Sequence, residues 1–217
     1  FIFEQHGNLL KFDFTTPVSP ALSGELFHAF APPATPLDNQ PDSGGPHLAF
    51  GFAPVSPSRG LLASTTSSDG NFAAGVARLL AVDLDGLDSN CPGSSNPCIL
   101  ATVDVAQAKL FTGVGVQGSS AVAVGDTAGF YDALSGLTGN LVISAFDLSN
   151  PASPTLASTL VTGLVHNESQ QCNPAQRVGP TRMVTLTNNY YAVGAYNAAA
   201  CSWVLALIDA NTPAQRS

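Results

Sequence analysis

One recurring feature, an acidic residue followed by a proline-rich corner, limits what this chain can fold into more than any other. Its central copy is residues 139–159, GNLVISAFDLSNPASPTLAST. An apolar run containing Leu141, Val142, Ile143 and Phe146 ends on Asp147. The turn-forming residues Ser149, Asn150, Pro151, Ala152, Ser153 and Pro154 follow, and a second apolar run opens at Leu156. β-Branched and aromatic runs on either side of such a cluster read as strand, rigid turn and strand.

The pattern returns at both ends. Near the start, Leu9, Leu10, Phe12 and Asp13 lead into Pro17 and Pro20, and near the end Trp203 to Asp209 leads into Pro213. Proline stands four residues after the aspartate in all three copies, and a second proline follows at seven in the first and central ones. A fourth copy, LLAVDL around Asp83, lacks the proline and carries an insertion before resuming at 95–102. The repeat turns thus lie near 13–20, 83–98, 147–154 and 209–213, with aspartates spaced by 70, 64 and 62 residues. Self-similarity at tens of residues is the signature of stacked or radial repeats.

Each interval has room for about four short strands. In the last they fall at 156–161, 182–187, 190–196 and 202–208, with Asn188-Asn189 as a tight hairpin turn, since asparagine tolerates positive φ. Earlier strands are expected at 47–53, 61–66, 76–82, 99–105, 110–116 and 120–124. Alternating small and β-branched residues at 113–116 and 121–124 suit closely layered sheets. Residues 31–46, APPATPLDNQPDSGGP, and 125–139 read as loops. No segment keeps a 3.6-residue apolar period over three turns, so almost no helix is expected. The fold class is all-β, a β-propeller-like array of about three to four four-stranded antiparallel blades in a single domain over 1–217, either a partial propeller or a fragment of a larger one.

The turn FDLSNPASP at 146–154 resembles the LVIVP-type repeat of extracellular β-propellers, in which D-x-S-x-P-x-x-P follows the strand run of each blade. The resemblance touches all four copies and implies blades, an extracellular setting and a structural role for Asp13, Asp147 and Asp209. The missing proline after Asp83 and the long intervals depart from it, and the excess reads as loop insertions.

Composition excludes several functions. Only 10% of residues are charged and the net charge is −8, which argues against nucleic acid, where cationic side chains must displace phosphate counterions. No apolar run approaches the ~18 residues of a membrane helix, so membrane insertion is not expected. The chain opens at Phe1 within a strand-like segment, as a processed product or a piece of a longer polypeptide would. An open arc of blades would leave sheet edges that invite other chains or self-assembly.

Four cysteines, Cys91, Cys98, Cys172 and Cys201, point to disulfides and a secreted or cell-surface protein. A bond from Cys91 to Cys98 would staple the insertion CPGSSNPC, and one from Cys172 to Cys201 would pin the later insertion, although three connectivities are open from sequence. Their spacing lacks the close pairs that zinc favours. Asp83, Asp85, Asp88 and Asn90 around Gly86 offer oxygen ligands for calcium, the one cofactor considered; the alternative is a turn capped by its own side chains. The repeated aspartates suit turn-locking rather than catalysis, because a reaction needs unlike groups converging on one place. His6, His28, His47 and His166 are scattered without metal-binding spacing. Asn167 opens an N-glycosylation sequon, Asn-Glu-Ser. Tyr190, Tyr191, Tyr196 and Trp203 could stack on sugars or pack the core.

The expectation is a non-catalytic extracellular structural or binding module of a surface or matrix assembly, with other protein chains and glycans as partners. The alternatives are a propeller-fold hydrolase or lactonase with a site at the axis, and a carbohydrate-binding lectin.

Overall fold

The computed structural model describes residues 2–3, 9–13, 15–16, 19–26, 51–65, 75–91, 97–128, 139–165, 183–210 and 212–216. Asn167, Cys172, the four histidines and the loop expected at 31–46 lie outside these residues. The described residues form strands and turns with no helix.

The described residues hold fifteen strands in chain order. A small antiparallel sheet holds β1 (Ile2–Phe3), β2 (Leu9–Asp13) and β3 (Ala21–Leu26). A first four-stranded meander follows, β4 (Gly51–Ser56), β5 (Arg59–Thr65), β6 (Ala77–Asp83) and β7 (Cys98–Val105). The second comprises β8 (Leu110–Gln117), β9 (Ser120–Asp126), β10 (Asn140–Asp147) and β11 (Thr155–Val165). The third comprises β12 (Met183–Thr185), β13 (Tyr190–Asn197), β14 (Ser202–Asp209) and β15 (Thr212–Arg216). Among the described residues one bridge, Val165 to Tyr196, joins the second and third into one larger sheet, which curls so that β12 lies alongside β8 and nearly closes it like a barrel.

Several strand boundaries depart from the sequence reading: β9 runs on to Asp126, into the expected 125–139 loop, β12 stops at Thr185, two residues short of its expected end, and further departures fall at β4, β5 and β11. The expected separator at 54–60 is only the two-residue turn Pro57-Ser58, because β4 runs on to Ser56 with Pro54 facing Gly60. Among the described residues β4 pairs within its sheet only with β5, so a proline without an N–H is tolerated there. β11 runs four residues past its expected end, to Val165. The hairpin at Asn188 and Asn189 forms with both at positive φ, 59° and 62°, as a two-residue turn matched to strand twist requires.

Alternation along the strands builds two cores. Leu61 and Ala63 of β5 with Ala77, Leu79 and Ala81 of β6 meet Phe111, Ala121, Ala123, Val142 and Phe146 of the second meander. The opposite face of the second meander, Val122, Val124, Leu141, Ile143 and Ala145, meets Tyr191, Val193, Ala195, Ala206 and Ile208 of the third. The middle meander is therefore buried on both faces, and its strands read as unbroken apolar runs rather than as alternating ones. Phe111 and Phe146 meet edge to face across the first core, with ring centroids 6.1 Å apart. Glycine permits the close approach of β8: a Cβ on Gly115 would stand 2.6 Å from the Tyr191 ring and 2.7 Å from Thr185 Oγ1.

Candidate functional site

The four aspartates of the repeat occupy one structural position. Asp13 ends the next-to-last strand of the small sheet, and Asp83, Asp147 and Asp209 each end the next-to-last strand of their meander, opposite Ala21, Cys98, Thr155 and Thr212 of the strand that follows. Just before the corner the outer strand carries one extra residue in three sheets: Ser23, Leu100 and Ala157. In the last sheet the step spans two residues and lies one position later. Nothing in the sequence marks this bulge, because any residue can occupy it.

The chemistry of the corner explains its spacing. A carboxylate oxygen of Asp13, Asp83 and Asp147 accepts the N–H two residues on, from Thr15 (2.8 Å), Asp85 (3.3 Å) and Ser149 (2.8 Å). A β-turn then closes from Ser19 N–H to Thr16 O and from Ser153 N–H to Asn150 O. In the second of these turns Pro151, four residues after Asp147, is the second residue, where its fixed φ is already correct. The Ser149 hydroxyl also donates to Asp147 (2.6 Å), and these two Ser149 bonds hold the Asp147 carboxyl below its ordinary value of 3.8.

The copy without that proline is held differently. Arg59, which opens β5, donates from Nη1 to Asp83 Oδ1 (2.5 Å) and from Nη2 to Asp88 Oδ2 (2.7 Å). Asp83 also accepts the Asp88 N–H (2.7 Å), while Asp88 Oδ1 caps Asn90 through its N–H (2.9 Å) and Nδ2 (2.8 Å). Asp85 pairs with Lys11 of the small sheet at 2.5 Å. Burial pulls the Asp83 carboxyl upward, but the N–H groups of Asp88 and Asp85 and the Arg59 charge outweigh it, and its pKa lies below 3.8. Cys91 and Cys98 are disulfide-bonded across the insertion, with Cα atoms 5.8 Å apart.

Asp83, Asp85, Asp88 and Asn90, the residues considered for calcium, do share this turn. Carboxylate oxygens of all three aspartates are turned onto Arg59, Lys11 and backbone N–H groups, and no cluster of three metal-binding side chains occurs among the described residues. The sequence reading missed Arg59, although it is one of only seven lysine and arginine residues and lies in the 54–60 stretch read as a separator. Asp209 is buried at the end of β14. Cys201 is disulfide-bonded and holds a positive φ of 49° in the turn before β14; Cys172, the partner expected for it, lies outside the described residues.

The tyrosines divide. Tyr191 is fully buried between the second and third meanders, and its hydroxyl has no hydrogen-bond partner. Burial pushes its phenol up to about 12, slightly offset by the nearby Gln117 amide. That amide is already committed, donating to Tyr190 O (2.8 Å) and accepting from Asn189 N–H (2.8 Å). Tyr196 packs edge to face on Trp203 at 5.5 Å. Comparison with protein-family models and with curated proteins finds no match.

Proposed function

We propose that the chain is a non-catalytic extracellular structural or binding module, and that its meanders are blades of an LVIVP-like β-propeller. The observation that carries this reading is the common frame of the four corners. Each repeated aspartate ends an equivalent strand, and at three of them the carboxylate is spent on its own turn. Groups that recur once per blade serve the repeat, whereas catalysis would gather unlike groups at one point. The strands β4, β8 and β12, first in their meanders, lie next to one another as the inner strands of adjacent blades do. The small sheet β1–β3 supplies part of a fourth blade.

The disulfide at the Asp83 corner supports an oxidising compartment. The test is the intact mass of protein taken from its native source, with and without reductant and glycosidase. A mass gain on reduction matching two disulfides, and loss of a glycan at Asn167, are the expected results. Free thiols in that material would overturn the extracellular reading. Turnover of lactone or ester substrates by the purified chain would overturn the non-catalytic one.

A further inference from the structure

The corner at Asp83 is built on a longer connection than its counterparts. Cys98 faces Asp83 from fifteen residues further along the chain, whereas Thr155 faces Asp147 from eight and Ala21 faces Asp13 from eight. The place of the first proline is taken by Leu87, which is 82% exposed, and that of the second by Asn90. A long connection holds the strand after it less firmly than a short one stiffened by proline. At the central corner Pro154 is buried directly before β11. At Asp83 the hold comes in two stages instead. Arg59 and the Asp83 carboxylate fix Asp88. The N–H of Cys91 then donates to Asp88 O (2.9 Å), and the disulfide carries that anchorage across to Cys98, the first residue of β7.

The strand anchored in this way is weakly buried. Of the eight residues of β7 only Cys98 and Val105, its two ends, are buried, against six of the seven in β6 beside it. Among the described residues β7 pairs within its sheet with β6 alone. Near its far end Arg78 of β6 donates to both carboxylate oxygens of Asp104, at 2.6 and 3.0 Å. Segments with few buried side chains open locally at a lower free energy than the molecule as a whole. The disulfide is the covalent tie at the start of such a segment.

We propose that Cys91–Cys98 is a redox latch on β7: reduction by a dithiol frees the start of the strand, which then opens while the second and third meanders stay folded. Cys91 is half-buried and Cys98 is 8% exposed, so a thiol reaches the pair from the Cys91 side. A thiolate of the dithiol attacks the Cys91 sulfur, the sulfur–sulfur bond breaks, and Cys98 leaves as a thiolate that takes up a proton. The second thiolate of the dithiol attacks the mixed disulfide so formed, closing an oxidised ring and releasing Cys91, which also takes up a proton. Two electrons pass from the dithiol to the protein. With β7 displaced, the outer edge of β6 presents backbone N–H and C=O groups that are paired in the oxidised form. The latch depends on the Asp83 corner alone and is independent of the blade reading.

Hydrogen exchange of the full chain, read by mass spectrometry, tests the latch. The double variant Cys91→Ser, Cys98→Ser removes this disulfide and leaves that of Cys201 in place. In it the peptide covering 98–105 should exchange about tenfold faster or more. Peptides covering 140–147 and 155–165, on either side of a proline corner, should change by less than about twofold. Wild type treated with dithiothreitol should match the variant over 98–105 and return to its starting rate on reoxidation. Unchanged exchange over 98–105 in the variant would overturn the proposal, since the strand would then need no tie. A variant that opens there beside a treated wild type that does not would overturn it too, since a dithiol would not reach the bond. Faster exchange in all three meanders together, or a variant that fails to fold, would show a staple of the whole molecule in place of a latch.

Discussion

Ile143 and Leu205 hold the same place in the repeat, four residues before the corner aspartate, in the second and third meanders. Ile143 is sealed between two sheets, whereas Leu205 faces solvent from a strand of similar composition. The residues one before the aspartate, Phe146 and Ile208, are fully buried in both. The two meanders therefore differ on one face only. The lesson is that burial in a stacked array follows a strand's neighbours, so equal sequence rows can have unequal energetic weight.

The largest effect should come where the two meanders agree. Phe146→Ala removes a ring from the first core and should cost about 4 kcal/mol in guanidinium denaturation, with Ile208→Ala costing about 3 kcal/mol in the second core. If Ile208→Ala cost less than about 1 kcal/mol, the likeness between the two meanders on their shared face would break.

The corners sharpen the contrast. Asp83→Ala leaves Arg59 facing Asp88 alone and a buried turn without its acceptor, at a cost of about 3 kcal/mol. Asp147→Ala removes only an exposed cap, and its melting temperature should fall by less. Both carboxyls lie below their ordinary value, so the stability they contribute is present above the unfolded value near 3.8 and is lost as pH falls through the lower folded value. The wild type should therefore lose more stability than Asp83→Ala as pH drops below 4, read as melting temperature against pH.

A smaller effect of opposite sign is expected at Tyr191. Its hydroxyl is buried without a partner, so Tyr191→Phe should raise stability by about 1 kcal/mol. The folded phenol ionises near 12 and the unfolded one near 10, so its contribution holds below pH 10 and is lost as pH rises from there through 12. The phenylalanine variant should lose less stability than the wild type over that interval.

Much of this fold was legible from residues alone. Strand ends at Asp13, Asp83, Asp147 and Asp209, the two-asparagine hairpin and the pairing of Cys91 with Cys98 follow from local chemistry that acts within a few residues. What was not legible depends on distant partners. Arg59 meets Asp83 across a strand pair, and the bulges at Ser23, Leu100 and Ala157 leave no compositional trace. The end of the strand from Gly51 was set three residues too early because Pro54 reads as a turn residue, although an edge position accepts it. The difference between Ile143 and Leu205 could not be read either, since it depends on what lies beside each sheet.

The most direct test of a shared frame is a denaturation series on Leu79→Ala, Ile143→Ala and Leu205→Ala at a concentration where the chain is monomeric. All three stand four residues before a corner aspartate. The account predicts losses of about 3 kcal/mol for the first two, which lie in the two cores, and a change within about 0.5 kcal/mol for the third. Comparable losses at all three positions, or a mild effect at Leu79 or Ile143, would contradict it.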